Sequence, residues 1–124
     1  MLPSANRLRH RKDFSAIYRS GLRYSSKHLG LTALRLKSVA STPPENSPIC
    51  IGISISLKVS KKAVVRNRIK RQLRSALRYM LPQLRPGWRL VFTVQPGAHA
   101  CDYGEFLQEL KQLLTKAGVL VDGY

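Results

Sequence analysis

The middle of the chain, residues 46–101, contains eleven lysine and arginine residues and no aspartate or glutamate. No ion pair inside this stretch can neutralise those charges, so its basic side chains have to face water or an anion. The whole chain shares the imbalance, because 22 Lys and Arg stand against 6 Asp and Glu, a formal net charge of +16. Arginine is the commoner cation, 13 against 9 lysines, which suits phosphates better than diffuse attraction to a membrane. This balance predicts a polyanionic partner.

Length and cysteine content narrow the class of protein further. A chain of 124 residues, 44% of them hydrophobic, is expected to form a single domain, 1–124, with one modest core. Cys50 and Cys101 are too few for a disulfide framework and lack metal-ligand spacing, so we expect two small buried thiols in a reducing cytoplasm. No apolar run approaches the roughly 20 residues of a membrane span, and the N-terminus has no apolar signal segment. We therefore expect a cytoplasmic protein without a membrane partner.

Hydrophobic periodicity predicts an alternation of helices and strands. The segments are a helix over 10–20, one or two strands over 24–37, a loop over 38–48, a strand over 49–57, a helix over 62–81, a strand over 88–95 and a helix over 102–118. This order predicts an α+β fold in which helices pack on a small mixed sheet. A crossover helix between parallel strands is right-handed by the general rule.

The most regular of these segments is the strand over 49–57. Isoleucine or leucine occupies every second position, and the residues between them are Cys50, Gly52, Ser54 and Ser56. Successive side chains of a strand point to opposite faces of the sheet, so we expect the Ile and Leu face, including Leu57, in the core. The small polar face leaves room for a ligand and is expected to form the floor of a cleft.

The helix over 62–81 combines an apolar stripe with a row of cations. The stripe consists of Val65, Ile69, Leu73, Ala76, Leu77 and Met80, and the row of Arg66, Lys70, Arg74 and Arg78. Like charges at this spacing weaken a helix by a few tenths of a kcal/mol per pair, so they do not serve local stability. Solubilising surfaces usually mix signs, whereas residues 61–78 hold eight cations and no acid. The row therefore predicts an anion-binding helix.

The pattern favours RNA over duplex DNA as that anion. No helix-turn-helix partner or heptad seam accompanies the basic helix, as major-groove recognition would require. RNA is read through its backbone and shape, and single strands through aromatic stacking. Phe14 and Tyr18, one helical turn apart, could stack on unpaired bases or could equally be core residues of the first helix. A structural RNA-binding protein, such as a small ribosomal protein, and a nucleoid protein with equal affinity for DNA and RNA remain alternatives on composition.

Catalytic chemistry by the protein itself is not predicted. A metal-dependent nuclease needs gathered carboxylates, whereas the six acids are spread along the chain at Asp13, Glu45, Asp102, Glu105, Glu109 and Asp122. Nothing in the sequence brings two of the three histidines together as an acid–base pair. We expect no catalytic side chain and no metal ligands.

Residues 66–71, Arg-Asn-Arg-Ile-Lys-Arg, carry a resemblance to a known family. With KKAVV before them and QLRSALR after them, they resemble the signature of the bacterial ribonuclease P protein subunit. The segments NRLRHRKDFSAIYRSG at 6–21, IGISISLK at 51–58 and YGEFLQELKQLLTKAG at 103–118 are also similar to that family. The resemblance implies a protein that joins a catalytic RNA and removes the 5′ leader from precursor tRNA, with Mg²⁺ bound by the RNA subunit.

The resemblance also implies a fold and a set of binding residues. The family fold is α-β-β-β-α-β-α with a left-handed β-α-β crossover, in contrast to the general rule. Contacts to the catalytic RNA are implied for Lys61, Lys62, Arg66, Asn67, Arg68, Lys70, Arg71 and Arg74. Contacts to the leader are implied for Phe14, Tyr18, Lys58, Ser54 and Ser56. Two positions depart from the family pattern, since Leu57 replaces an expected lysine and Thr32 an expected aromatic residue of the cleft.

Overall fold

Secondary structure in the described residues, 6–8, 11–35 and 48–120, follows the predicted order. In this computed structural model the helices are α1 (Arg11–Ser20), α2 (Ala63–Met80) and α3 (Tyr103–Ala117), and the strands are β1 (Leu22–Ser25), β2 (Leu29–Arg35), β3 (Cys50–Ile55) and β4 (Trp88–Val94). Short 3-10 turns lie at Leu81–Gln83 and Ala98–Ala100. The α+β class is confirmed, and the region predicted as one or two strands holds two. The predicted loop over 38–48 lies outside the described residues except for Pro48, which is exposed.

The four strands form one mixed sheet in the order β1-β2-β4-β3. Antiparallel pairing joins β1 to β2 and β2 to β4, whereas β3 and β4 are parallel. Parallel neighbours need a crossover connection, and α2 provides it between β3 and β4. The left-handed sense of this crossover stays a prediction.

Helices α2 and α3 cover one face of the sheet and enclose the main core. The stripe predicted on α2 is buried at Ile69, Leu73, Ala76, Leu77 and Met80. It packs with sheet residues such as Leu31 and Phe92 and with Phe106 of α3. Full burial of a large apolar side chain stabilises by roughly 1.5–3 kcal/mol, against a few tenths for each like-charge pair. The core contacts therefore hold α2 in place despite its charges.

Helix α1 lies on the opposite face of the sheet. It contacts β2 and β4, and the Tyr18 hydroxyl lies 3.3 Å from Thr93 Oγ1. Thr93 alternates along β4 with the core residues Phe92 and Val94, so it points away from α2 and α3. Ile17 is the buried residue of α1, and the helix ends before Gly21, as predicted. A second, thinner layer is thus formed on the face that carries the small polar residues.

Helix α3 begins and ends as its sequence predicts. The backbone N–H of Glu105 donates to Asp102 Oδ1 at 2.8 Å, and the backbone N–H of Asp102 donates to Glu105 Oε1 at 3.4 Å, which completes a capping box. Gly118 follows the helix with φ of 76°, a left-handed conformation that glycine adopts readily. None of the helices in the described ranges is both long and apolar enough to cross a membrane.

Two details of the sequence prediction are wrong. The strand expected over 49–57 ends at Ile55, because its partner β4 ends at Val94, the residue paired with Ile55. Leu57 then lies in a turn and is 64% exposed instead of joining the core. Cys50 is only partly buried, although Cys101 is buried as expected.

Candidate nucleic-acid interface

The segment 6–8 runs along the free edge of β3. The side-chain amide of Asn6 donates to the Ile49 carbonyl at 2.7 Å, and the backbone N–H of Leu8 donates to the Ile51 carbonyl at 3.0 Å. This places Arg7 close to Arg74 of α2. Burial first, and then the charge of Arg7, lower the pKa of the Arg74 guanidinium. Two cations held together in this way are stabilised when an anion lies beside them.

The α2 basic surface comprises Lys61, Lys62, Arg66, Asn67, Arg68, Lys70, Arg71 and Arg74. Lys61, Lys62, Asn67, Arg68 and Arg71 are exposed, and the other three are partly buried along the side of the apolar stripe. Within the described ranges, none of these seven cations is in an ion pair with a carboxylate; the ion pair found there joins His28 to Glu109. The surface therefore carries uncompensated positive charge, as the sequence predicts.

Two arginines of the Arg-Asn-Arg motif are fixed by backbone oxygens on either side of the helix. Arg66 Nη1 donates to the Ser60 carbonyl at 2.9 Å, and Arg68 Nη2 donates to the His99 carbonyl at 3.0 Å. A guanidinium has five N–H donors, so each of these groups keeps donors for a ligand. The surface thus extends from the turn before α2 to the 3-10 turn at Ala98–Ala100.

A groove lies beside α1 on the other face of the sheet, and we call it the α1 groove. Its floor is a row of small residues from four adjacent strands, Ser25, Gly30, Thr93 and Ser54. Tyr18 stands over this row and lines both parts of the groove. One part, of about 420 Å³, is lined by Arg11, Phe14, Ser15, Tyr18 and Ser54. The other, of about 600 Å³, includes Arg23 and Gln95 in its lining.

Phe14 and Tyr18 are both half-buried, so neither of the two interpretations of these residues holds alone. A Cβ added at Gly52 would lie 2.5 Å from Phe14 Cζ, so the ring rests directly on the backbone of β3. Each residue packs on the sheet with one side and borders the groove with the other. They support α1 and remain available to a ligand.

The structure brings together only part of the predicted leader site. Phe14, Tyr18 and Ser54 meet in the α1 groove. Ser56 and Lys58 lie beyond the end of β3, where the Lys58 backbone N–H donates to Ser56 Oγ at 3.2 Å. The leader roles of Ser56 and Lys58 stay predictions. Thr32, at the position of the expected aromatic, is 5% exposed.

Sequence reasoning missed several residues that line or border these surfaces. Arg11 and Ser15 of α1 border the Phe14 side of the groove, and Arg23 and Gln95 border its other side. Arg11 lies one helical turn before Phe14, which is a signal that could have found it. Arg23 could be assigned to the groove only from the strand register, in which it pairs with Thr32 across β1 and β2.

The fold and its two surfaces define a class: a small α+β protein whose cationic helix and polar groove suit RNA. The family model described as Ribonuclease P matches residues 2–118. The chain is 56% identical to the ribonuclease P protein component of Cyanothece sp., covering 97% of this chain and 98% of that protein, and 51% identical to that of Microcystis aeruginosa, covering 96% of each. The chain belongs to the ribonuclease P protein family.

Solved structures show the same fold. The Staphylococcus aureus RNase P protein is similar with a TM-score of 0.79 at 22% identity, covering 93% of this chain and 97% of that one. The Thermotoga maritima protein gives 0.74 at 22% identity, covering 89% and 96%. The family predicted from residues 66–71 is confirmed. As a member, the chain is the protein subunit of an endoribonuclease that acts with an RNA subunit in 5′ processing of precursor tRNA.

Proposed function

We propose that, within ribonuclease P, the α2 basic surface binds the catalytic RNA while the α1 groove holds the single-stranded 5′ leader of precursor tRNA. The observation that supports this division is the placement of α1 and α2 on opposite faces of one sheet. Ligands on opposite faces do not compete for space. The protein can therefore hold the leader while it stays bound to the catalytic RNA.

The α2 basic surface is suited to structured RNA. Double-stranded RNA is recognised mainly through phosphates, 2′-hydroxyls and shape, which suits exposed guanidinium and ammonium groups without acidic partners. The contacts are assigned to Lys61, Lys62, Arg66, Asn67, Arg68, Lys70, Arg71 and Arg74. Arg66 and Arg68 are held by backbone carbonyls, so little side-chain freedom is lost when they meet a phosphate.

The α1 groove is suited to a single strand. Stacking on an aromatic ring contributes about 1–3 kcal/mol per base, and Phe14 and Tyr18 each present a ring at the groove. Hydroxyl groups of Ser54 and Thr93 on the floor can bond to sugars and bases without demanding one sequence. Ser56 and Lys58, in the turn after β3, extend this path towards the α2 basic surface.

The chemistry is assigned to the RNA subunit, together with its Mg²⁺. Mg²⁺ prefers several oxygen ligands, yet the one cluster of potential ligands among residues 6–8, 11–35 and 48–120 contains a single carboxylate. The protein residues therefore do not fit this ion. By neutralising phosphates where two RNAs approach, the protein lowers the Mg²⁺ requirement and positions the substrate.

The proposal includes the cellular setting. Residues 1–124 act as one RNA-binding domain in the cytoplasm, with ribonuclease P RNA and precursor tRNA as partners and neither membrane nor duplex DNA. The reduced state of Cys50 and Cys101 is compatible with a reducing compartment.

Paired variants test the division of labour. Combined Arg66→Ala and Arg68→Ala substitutions are expected to weaken assembly with the catalytic RNA at least about tenfold, because two fixed phosphate contacts are lost. Phe14→Ala is expected to leave assembly unchanged and to weaken binding of precursor tRNA about fivefold or more, with no effect on mature tRNA. Filter binding measures the affinity of each variant for the catalytic RNA, and then the affinity of the assembled complex for precursor and for mature tRNA.

Lys111→Ala serves as the matched control, because Lys111 is an exposed cation on α3, away from both surfaces. It is expected to change each affinity by less than about twofold. Equal losses for precursor and mature tRNA in Phe14→Ala would remove the leader role of the groove.

A further inference from the structure

Three side chains of the kind that ligate transition metals meet on the side of the sheet that faces α3. They are His28 in the turn between β1 and β2, Cys101 just before α3, and Glu109 in the middle of α3. One potential ligand atom from each lies within 4.8 Å of the other two. Ligands of a tetrahedral Zn²⁺ are separated by about 3.5 Å, so only small side-chain movements are needed to close the set.

The carboxylate of Glu109 is oriented as a ligand would be. Its Oε1 atom accepts hydrogen bonds from Ser26 Oγ at 2.5 Å and from the His28 backbone N–H at 2.7 Å. Its Oε2 atom remains for His28 Nδ1, also at 2.7 Å. Metal-binding carboxylates are commonly held by such outer hydrogen bonds. Oε2 is thus directed to the place where the other two potential ligand atoms lie.

The cluster is largely buried and close to one accessible edge. Glu109 is 8% exposed and Cys101 is 7% exposed, and buried carboxylates are rare unless they are paired or bind a metal. Despite 22 Lys and Arg in the chain, the ion-pair partner of Glu109 in the described part is His28. The imidazole side chain keeps 16% exposure, which leaves an approach for an ion and a water ligand.

We propose that His28, Cys101 and Glu109 form a binding site for a divalent transition metal, with Zn²⁺ as the preferred ion. The nitrogen, sulfur and oxygen donors match the ligands of zinc, and a thiolate selects against Mg²⁺ and Ca²⁺. On binding, metal–sulfur, metal–nitrogen and metal–oxygen bonds replace bonds between the hydrated ion and water, and the thiol proton passes to solvent. His28 ligates through Nδ1 as the neutral imidazole with its proton on Nε2, and one water molecule stays on the metal.

Such an ion would join the turn between β1 and β2 to α3. That turn is also held by the Gln95 backbone N–H, which donates to the His28 carbonyl at 2.9 Å. Gln95 and Ser25, on the two sides of this junction, both line the α1 groove. The site would therefore stiffen the end of the sheet that borders the groove, while its metal affinity does not depend on any RNA.

The test is a Co²⁺ titration of the full, metal-free chain. Binding is expected to produce a thiolate-to-cobalt charge-transfer band and the visible absorption of four-coordinate Co²⁺, both removed by one equivalent of Zn²⁺. Cys101→Ser is expected to abolish the charge-transfer band, and Glu109→Gln to weaken Zn²⁺ binding at least about 100-fold. Ser26→Ala, which removes an outer hydrogen bond, is expected to weaken it about tenfold.

Two variants away from the cluster serve as matched controls. Cys50→Ser and His99→Gln remove one residue of the same type each and are expected to leave the band and the affinity unchanged. Circular dichroism without metal checks that every variant is folded, and a Zn²⁺-dependent rise in Tm should appear in wild type and not in Cys101→Ser. Absence of the band in folded wild type, or its loss in Cys50→Ser rather than Cys101→Ser, would overturn the proposal.

Discussion

At the residue scale, a missing side chain sets the position of an aromatic ring. Gly52 lies in β3 directly under Phe14, and an added Cβ would come 2.5 Å from Cζ and 2.6 Å from Cε1. Non-bonded carbon atoms do not approach each other that closely, so Phe14 or the strand would have to move. The ring that borders the α1 groove therefore depends on glycine at this position, for reasons of space and not of backbone conformation.

Gly52→Ala is expected to destabilise the protein by about 1–3 kcal/mol, because Phe14 or the strand has to shift. It should also weaken binding of precursor tRNA more than that of mature tRNA. Urea unfolding and tRNA binding measure the two effects. Gly104→Ala is the matched control, since its Cβ would meet Asp102 Oδ1 at an ordinary 3.4 Å; its helical position predicts unchanged or slightly higher stability. Equal stability of the two variants would contradict the close contact.

Glu109 makes stability depend on pH. Burial alone would raise the pKa of this carboxyl, but hydrogen bonds from Ser26 and His28, together with the charge of His28, outweigh it and lower the pKa below its ordinary 4.5. A lowered pKa contributes stability above the unfolded pKa, and this contribution disappears as pH falls through the folded value. The other ionisable neighbour, the buried Cys101 thiol, has a pKa raised to about 11 by desolvation and nearby carboxylates, so it stays protonated throughout this range.

In buffer with EDTA, we expect the stability advantage of wild type over Glu109→Gln to be constant near neutrality. It should shrink as pH falls below about 4.5, where the carboxyl becomes protonated in both states. Thermal unfolding of both proteins between neutral and acid pH measures the difference. An advantage that grows towards acid pH would contradict the assigned direction of the pKa shift.

At the scale of elements, α2 and α3 begin in opposite ways. Helix α3 starts with the acidic capping box of Asp102 and Glu105. Helix α2 has Lys62 at its N-cap, no side-chain cap and no acid in its first turn. A helix N-terminus carries partial positive charge, so lysines there cost stability and concentrate positive potential. Under the proposed function, this arrangement favours RNA binding and lowers the stability of the free protein.

Lys62→Asp is therefore expected to stabilise the free protein by about 0.5–2 kcal/mol through a new N-cap. The same change should weaken binding of the catalytic RNA about tenfold, since an anion replaces a cation. Chemical unfolding and RNA binding are the measurements. Lys111→Asp makes the same change of charge in the middle of α3, where we expect no stabilisation and little effect on RNA. A gain in stability without any loss of RNA affinity would show that the start of α2 does not contact RNA.

Elements governed by local chemistry could be predicted from the sequence. The stripe on α2 and the capping box of α3 depend on residues a few positions apart, and both are found as expected. The end of β3 depends on where β4 ends, and β4 is more than thirty residues further along the chain. The cluster of His28, Cys101 and Glu109 comes from three separate segments, so no spacing in the sequence indicates it. The end of β3 and this cluster could not be predicted because both depend on contacts between segments that are distant in the sequence.

At the scale of the whole molecule, one sheet separates two surfaces. The groove beside α1 is lined by aromatic rings and small polar residues, whereas the surface of α2 is cationic. The net charge of +16 raises the encounter rate with RNA and gives binding that weakens with salt. In the proposed function, the protein contributes affinity and position, and the RNA subunit supplies the chemistry.

Cleavage of a 5′-extended precursor tRNA at low Mg²⁺, by a bacterial ribonuclease P RNA with and without this protein, tests that division most directly. We expect the protein to stimulate cleavage at the correct 5′ end only when the RNA is present. High Mg²⁺ should reduce the stimulation, since added cations replace the protein's charge. Tight RNA binding without stimulation, or cleavage by the protein alone, would contradict the assigned role.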